Sequence, residues 1–225
     1  MNLHARGGLL SEKEGKGLAA ANRHGGKAVI KTYFNEKAAT WDDTVAEKDV
    51  TKLEALASHL DIKPGSTVLD VGTGTGVFLP FILSRVGRNG RLVALDFAEE
   101  MLKRARAKGF EGNIEYLTAD IADTQLEDET FDAVVCYSSF PHFQDKPAAL
   151  HEINRVLKKG GKLFIGHSSS RATINEIHRQ IPEVHEDLIP DEDEMRNMLS
   201  AAGFEDVTIC DNRDSYFASA SRTGI

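Results

Sequence analysis

Three glycines at alternate positions, Gly72, Gly74 and Gly76, stand between the apolar run VLDV and the apolar run that begins at Val77. Glycine lacks a Cβ, so such a stretch can turn sharply and let a ligand lie against bare backbone. If the following run is a helix, its free amides favour a negatively charged group at that point. Two acids also close apolar runs: Asp96 ends RLVALD and Asp120 ends NIEYLTAD. A carboxylate at the first position is suited to accept both hydroxyls of a ribose, and the second suits an exocyclic amine. A glycine turn, an acid and an acid at three successive run ends read together as a nucleoside site. Each alone has a plainer reading, as a tight turn or a surface cap.

Proton transfer at such a site would fall to histidine, whose ordinary pKa lies near neutrality. His142 follows the run FDAVVCYS within SSFPHF, and His167 ends the run GKLFIGH. Both are candidates to take a proton from an acceptor, with a structural role as the alternative. Further on, Asn175 and His178 are three apart and share one helix face. Ile174, Ile177 and Ile181 are expected to mark the buried face of the same helix. His167, Asn175 and His178 together would suit a metal or an anionic acceptor, the alternative being a polar helix edge. Two cysteines, Cys136 and Cys210, make neither a disulfide framework nor a four-ligand zinc site. A reducing, cytoplasmic setting follows as the simplest expectation.

The elements that must position these residues alternate along the chain. STVLDVG, RLVALD, NIEYLTAD, FDAVVCYS, GKLFIGHS, EDVTIC and SYFASAS read as strands. VFLPFILSRV, AEEMLKRARAKG and KPAALHEINRVLKK read as helices among the first five of them. Such alternation implies βαβ units and an α/β fold with a doubly wound, mostly parallel sheet covered on both faces. The last two strands are too close for a helical crossover and should pair antiparallel. The helix opening at Lys146 is expected to end at Gly160 and Gly161. Residues 61–225 read as the core, residues 27–60 as a helical N-terminal cap and residues 1–26 as a flexible tail. A net charge of −8 argues against a nucleic-acid partner. No apolar run approaches the roughly 18 residues of a membrane span, and the first residues lack the apolar stretch of a secretory signal.

VLDVGTGTG, VALDFAEEML, EYLTADI, FDAVVCYSSFPHF and EINRVLKKGGKLFI, in that order, resemble the motifs of class I S-adenosylmethionine-dependent methyltransferases. The resemblance is greatest to the branch holding ubiquinone/menaquinone C-methyltransferases and other small-molecule enzymes. A dinucleotide fingerprint, by contrast, fails at Val77, where it requires glycine. The resemblance implies a Rossmann-like seven-stranded sheet of order 3-2-1-4-5-7-6 with strand 7 antiparallel. It implies S-adenosyl-L-methionine as cofactor, with Asp70, Gly72, Thr73, Gly74 and Gly76 around its methionine portion. Asp96 would bind the ribose hydroxyls, Phe97 would pack on adenine, and Asp120 would take the adenine amine with Ile121 on the ring. Tyr137 and Ser138 would flank the transferring methyl group. Tyr33, Phe34 and Trp41 would belong to a helical lid, with packing on the core as the alternative.

The implied activity is direct in-line methyl transfer to a small-molecule acceptor. A binding module without turnover is the alternative, and a nicotinamide-dependent oxidoreductase is disfavoured by Val77 and Asp70. The expected partners are a small-molecule acceptor and a second copy in a homodimer, without nucleic acid or integral membrane association.

Overall fold

The strand-like runs, rich in branched and aromatic residues, form β1 (Thr67–Val71), β2 (Arg91–Asp96), β3 (Ile114–Thr118), β4 (Phe131–Tyr137), β5 (Leu157–His167), β6 (Phe204–Asp211) and β7 (Tyr216–Arg222) in a computed structural model that describes residues 26–43 and 49–224. The segment expected as a flexible tail lies outside the described residues except for Gly26. One sheet contains all seven strands in the order β3-β2-β1-β4-β5-β7-β6. β1 to β5 run parallel, and β7 lies antiparallel between β5 and β6. The chain leaves β1 toward β2 and β3, then returns to place β4 on the other side of β1. Crevices for ligands form at that reversal, beyond the carboxyl ends of the strands.

The helices are α1 (residues 26–37), α2 (Val50–Ser58), α3 (Leu79–Val86), α4 (Glu99–Ala107), α5 (Lys146–Val156), α6 (Arg171–Arg179) and α7 (Glu192–Ala201). Successive strand residues serve opposite faces. Val68 joins Leu53 of α2 and Ile82 of α3 in one core, while Leu69 joins Ile153 of α5 and Leu199 of α7 in the other. Asp49, Asp145, Ser170 and Asp191 accept hydrogen bonds from first-turn amides of α2, α5, α6 and α7, which stabilises each start by about 1 kcal/mol.

Two local expectations are corrected and one helix is added. α5 stops at Val156 rather than at the glycine pair, because tertiary partners claim the chain beyond it. Leu157 pairs with Phe131 across a bulged β5, and Arg222 donates to the carbonyls of Arg155 and Leu157. α7 was not anticipated in the charged stretch after Pro190, although Met195 and Leu199, four apart, are both buried. In α6 the buried residue is Asn175, while Ile177 is 44% exposed. Its inner face is therefore polar, with Ile174 and Ile181 only partly covered.

Candidate functional site

The glycine turn is held from two sides. The Gly72 and Thr73 amides donate to the Leu95 carbonyl, tying the turn to β2. Ser139 Oγ, from the segment after β4, donates to the Val71 carbonyl at 2.6 Å. A Cβ on Gly72 would stand 2.3 Å from that of Ser139, and its φ of +70° lies in the left-handed region. Only glycine fits there. Gly74, with φ of +56°, differs: a Cβ would meet nothing nearer than Trp41 Nε1 at 4.0 Å. Its backbone faces open space.

Asp96, at the end of β2, is 5% exposed and accepts from the Gly74 amide at 2.7 Å and the Ala98 amide at 2.8 Å. Burial raises its pKa to about 6 against the lowering effect of those amides. Asp70 is 2% exposed and accepts from Thr73 Oγ1 at 2.7 Å. Burial raises its pKa to about 7; the Thr73 hydroxyl lowers it and the Asp96 charge raises it further.

Around this turn lies a crevice of two adjoining lobes. One, of about 540 Å³, is lined by Phe34, Trp41, Gly72, Thr73, Gly74, Thr75, Val77, Asp96, Met101, Tyr137, Ser138, Ser139, His142 and Phe143. The other, of about 390 Å³, is lined by Lys27, Val71, Gly72, Leu95, Phe97, Ala119, Asp120, Ile121, His142, Phe143 and Gln144. Gly72, His142 and Phe143 border both lobes. Ser138 sits at the wall with a φ of +51°, a conformation that costs a non-glycine residue about 1–3 kcal/mol and is concentrated at functional sites.

The N-terminal segment closes one side. Phe34 of α1 is 8% exposed and packs edge-on against Trp41, Phe97 and His142. Asp42 accepts from Thr75 Oγ1 at 2.5 Å and pairs with Lys108 Nζ at 2.8 Å, fixing the turn that carries Trp41 over the glycine loop. Lys27 Nζ pairs with Asp120 at 2.6 Å in the second lobe.

Most of the residues expected at a site meet here, but four do not. Asp70 lies beneath the turn and shapes it through Thr73, lining neither lobe. Gly76 leaves room for Phe110, whose ring carbon would stand 2.7 Å from a Cβ. Tyr33 packs on Phe34 outside both lobes. His167 is 2% exposed, and its Nε2 meets no hydrogen-bond partner among the described residues. Burial, with added repulsion from His142 and His178, lowers its pKa to about 3, so it is a neutral core histidine.

Of the residues expected in a metal or acceptor cluster, Asn175 and His178 have backbone partners. The Asn175 side chain is spent on both backbone groups of Ile189, donating to its carbonyl at 3.0 Å and accepting from its amide at 2.8 Å. His178 Nδ1 bonds the carbonyl of Asp187. Among the described residues, no group of three or more His, Cys, Asp or Glu side chains is arranged to hold a metal ion.

His142 does reach the crevice, and an unanticipated residue backs it: Asp187 Oδ2 lies 2.9 Å from His142 Nδ1. Nothing in VHEDLIP marks Asp187 by spacing, because the contact spans 45 residues. Lys27, Thr75, Met101, Ser139 and Phe143 were likewise missed. Their positions depend on how loops cross rather than on a local pattern.

A family described as a methyltransferase domain matches residues 69–165. The chain is 30% identical over 173 residues to a ubiquinone/menaquinone biosynthesis C-methyltransferase of Idiomarina loihiensis, covering 65% of this chain and 69% of that protein. A Klebsiella pneumoniae protein of the same description is 31% identical over the same shares. Among solved structures, a SAM-dependent methyltransferase from Aquifex aeolicus superposes with a TM-score of 0.67 at 28% identity, over 83% of this chain and 97% of that one. A phosphoethanolamine N-methyltransferase 2 of Haemonchus contortus in complex with S-adenosyl-L-methionine shares the fold, with a TM-score of 0.67 at 16% identity over 83% of this chain and 56% of its own.

Proposed function

Because this chain belongs to the class I S-adenosylmethionine-dependent methyltransferases, we propose that its crevice binds S-adenosylmethionine through the Gly72–Gly74 turn and Asp96 and transfers the methyl group to a small-molecule acceptor. The observation that carries this reading is the pairing of Asp96 with the Gly74 amide at 2.7 Å, beside a backbone with open space in front of it. A buried carboxylate with unused lone pairs suits vicinal hydroxyls, and a turn without Cβ atoms lets the ligand lie close against the backbone. Phe97, Ile121 and Asp120 line the second lobe and would receive the adenine, with Asp120 exchanging Lys27 for the exocyclic amine.

When bound, S-adenosylmethionine supplies a methyl group already activated on a positively charged sulfur. The protein's own work is then to orient and to exclude water. Tyr137, Ser138, Phe143, Phe34 and Trp41 wall the first lobe, and orientation of this kind is worth about 7–11 kcal/mol in favourable cases. His142 borders both lobes and would take a proton from an acceptor that must lose one, a contribution of about 10²- to 10⁴-fold.

The test is turnover. S-adenosylhomocysteine should accumulate when the protein is offered a panel of small phenols, thiols, amines and activated carbon acids, and His142→Ala should lower the rate by about 10²-fold or more. Cofactor binding without transfer to any member of the panel would favour a non-catalytic binding module instead.

A further inference from the structure

We infer that Asp187, on the segment between α6 and α7, is the positioning residue that turns His142 into a proton acceptor aimed at the crevice, and that the acceptor therefore arrives with a proton on its nucleophilic atom. The inference rests on the proposed methyl-transfer site and deepens it.

The geometry selects one tautomer. An ionised carboxylate only accepts hydrogen bonds, so the 2.9 Å contact between Asp187 Oδ2 and His142 Nδ1 places the ring proton on Nδ1. The lone pair is left on Nε2, the nitrogen not taken by Asp187, in a ring that borders both lobes. Both side chains are largely shielded, at 13% and 10% exposure, so the hydrogen bond is little diluted by solvent.

Asp187 is itself held in place. Gln144 Nε2 donates to its other carboxylate oxygen at 3.2 Å, His178 Nδ1 bonds its carbonyl, and Asn175 grips Ile189 from both sides. Asn175 and His178 thus secure the segment to α6, which accounts for polar residues on an inner helix face. From the opposite side Lys146 Nζ donates to the carbonyls of Pro141 and Phe143, fixing the turn that carries His142.

The charged and titratable groups around His142 are Asp187, His178 of α6, Lys146 of α5 and His167 of β5. Burial lowers the pKa of Lys146 and of His178, and His167 stays neutral down to about pH 3. Asp187 is the group of opposite charge set directly against the ring.

The step is a proton transfer. The bond between hydrogen and the acceptor's nucleophilic atom breaks, the proton goes to His142 Nε2, and the electron pair stays on the nucleophile. The resulting imidazolium is balanced by the Asp187 carboxylate, and the proton later leaves to water. A nucleophile with no proton to lose, such as a thioether or a tertiary amine, would have no use for this arrangement.

The test is the tautomer of His142 in the full chain labelled with ¹⁵N-histidine, its resonances assigned by their loss in His142→Gln. The expected parent state is Nδ1–H for both His142 and His178. Asp187→Ala, which removes the acceptor, should move the His142 proton to Nε2 or split the population. His178 should keep its Nδ1–H signal, since its acceptor is a backbone carbonyl that this variant retains. Nε2–H at His142 in the parent, or an unchanged tautomer in Asp187→Ala, would overturn the inference. Should Asp187→Ala fail to fold, the parent tautomer alone decides. S-adenosylhomocysteine titrated calorimetrically into the parent reports separately on the crevice, so a failed cofactor reading is distinguished from a failed dyad.

Discussion

Asp70, next to last in β1, and Asp96, at the end of β2, lie on neighbouring parallel strands beside one turn, and burial holds both pKa values above that of a free carboxylate. The sign for Asp70 is definite. A folded pKa of about 7 against an ordinary 3.8 means that the native state keeps its proton longer, so stability falls as pH rises through the interval between them. Asp70→Asn, which mimics the protonated form and still accepts from Thr73, should gain roughly 2–3 kcal/mol relative to the parent between pH 5 and pH 8. Thermal melts of both proteins across that range check it; a constant difference would contradict it. His167 acts in the opposite sense. Its folded pKa lies below the ordinary 6.5, so its contribution is lost as pH falls from about 6.5 toward 3.

Glycine substitutions separate folding from binding. Gly72→Ala should destabilise by at least about 2 kcal/mol, combining left-handed strain with overlap on Ser139. Gly74→Ala meets open space, so it should cost only about 1–2 kcal/mol in strain while weakening S-adenosylhomocysteine binding at least tenfold. Denaturant melts and calorimetry on the two variants distinguish these cases.

At the scale of elements, the N-terminal segment acts through few contacts. Trp41 is the chain's single tryptophan and lines the first lobe, so its emission should change on titration with S-adenosylhomocysteine. Asp42 ties that segment to Thr75 and Lys108. Asp42→Ala should shift apo emission to the red and weaken the ligand severalfold, with stability altered by no more than about 1 kcal/mol, as befits an exposed pair. Unchanged emission and affinity would mean that the cap does not form part of the site.

The central strands were legible in the sequence because short apolar runs rich in branched residues, bounded by turns, mark strands buried on both faces. α6 was legible as a helix but not by its inner face, since Asn175 buries itself by satisfying Ile189 rather than by being apolar. The end of α5 was hidden for a similar reason: the signal that stops it is Arg222, on the last strand.

For the molecule as a whole, the order β3-β2-β1-β4-β5-β7-β6 puts the glycine turn and Asp96 on one side of the chain reversal and Ser138 and His142 on the other. Residues tied to strand ends could therefore be assigned to the crevice from sequence. Asp187 and Lys27 could not, because a loop crossing and a capping helix bring them in. Asp70 comes to the site through the turn it shapes, by accepting from Thr73 Oγ1.

The central claim is that this crevice is built for S-adenosylmethionine, with Asp96 gripping its sugar, and calorimetric titration tests it most directly. The parent should bind S-adenosylmethionine at one site and show no heat with NAD, and Asp96→Ala should lose roughly 1.5–3 kcal/mol of affinity, about tenfold to a hundredfold. Undiminished affinity in Asp96→Ala, or a parent that takes NAD in preference to S-adenosylmethionine, would contradict the account.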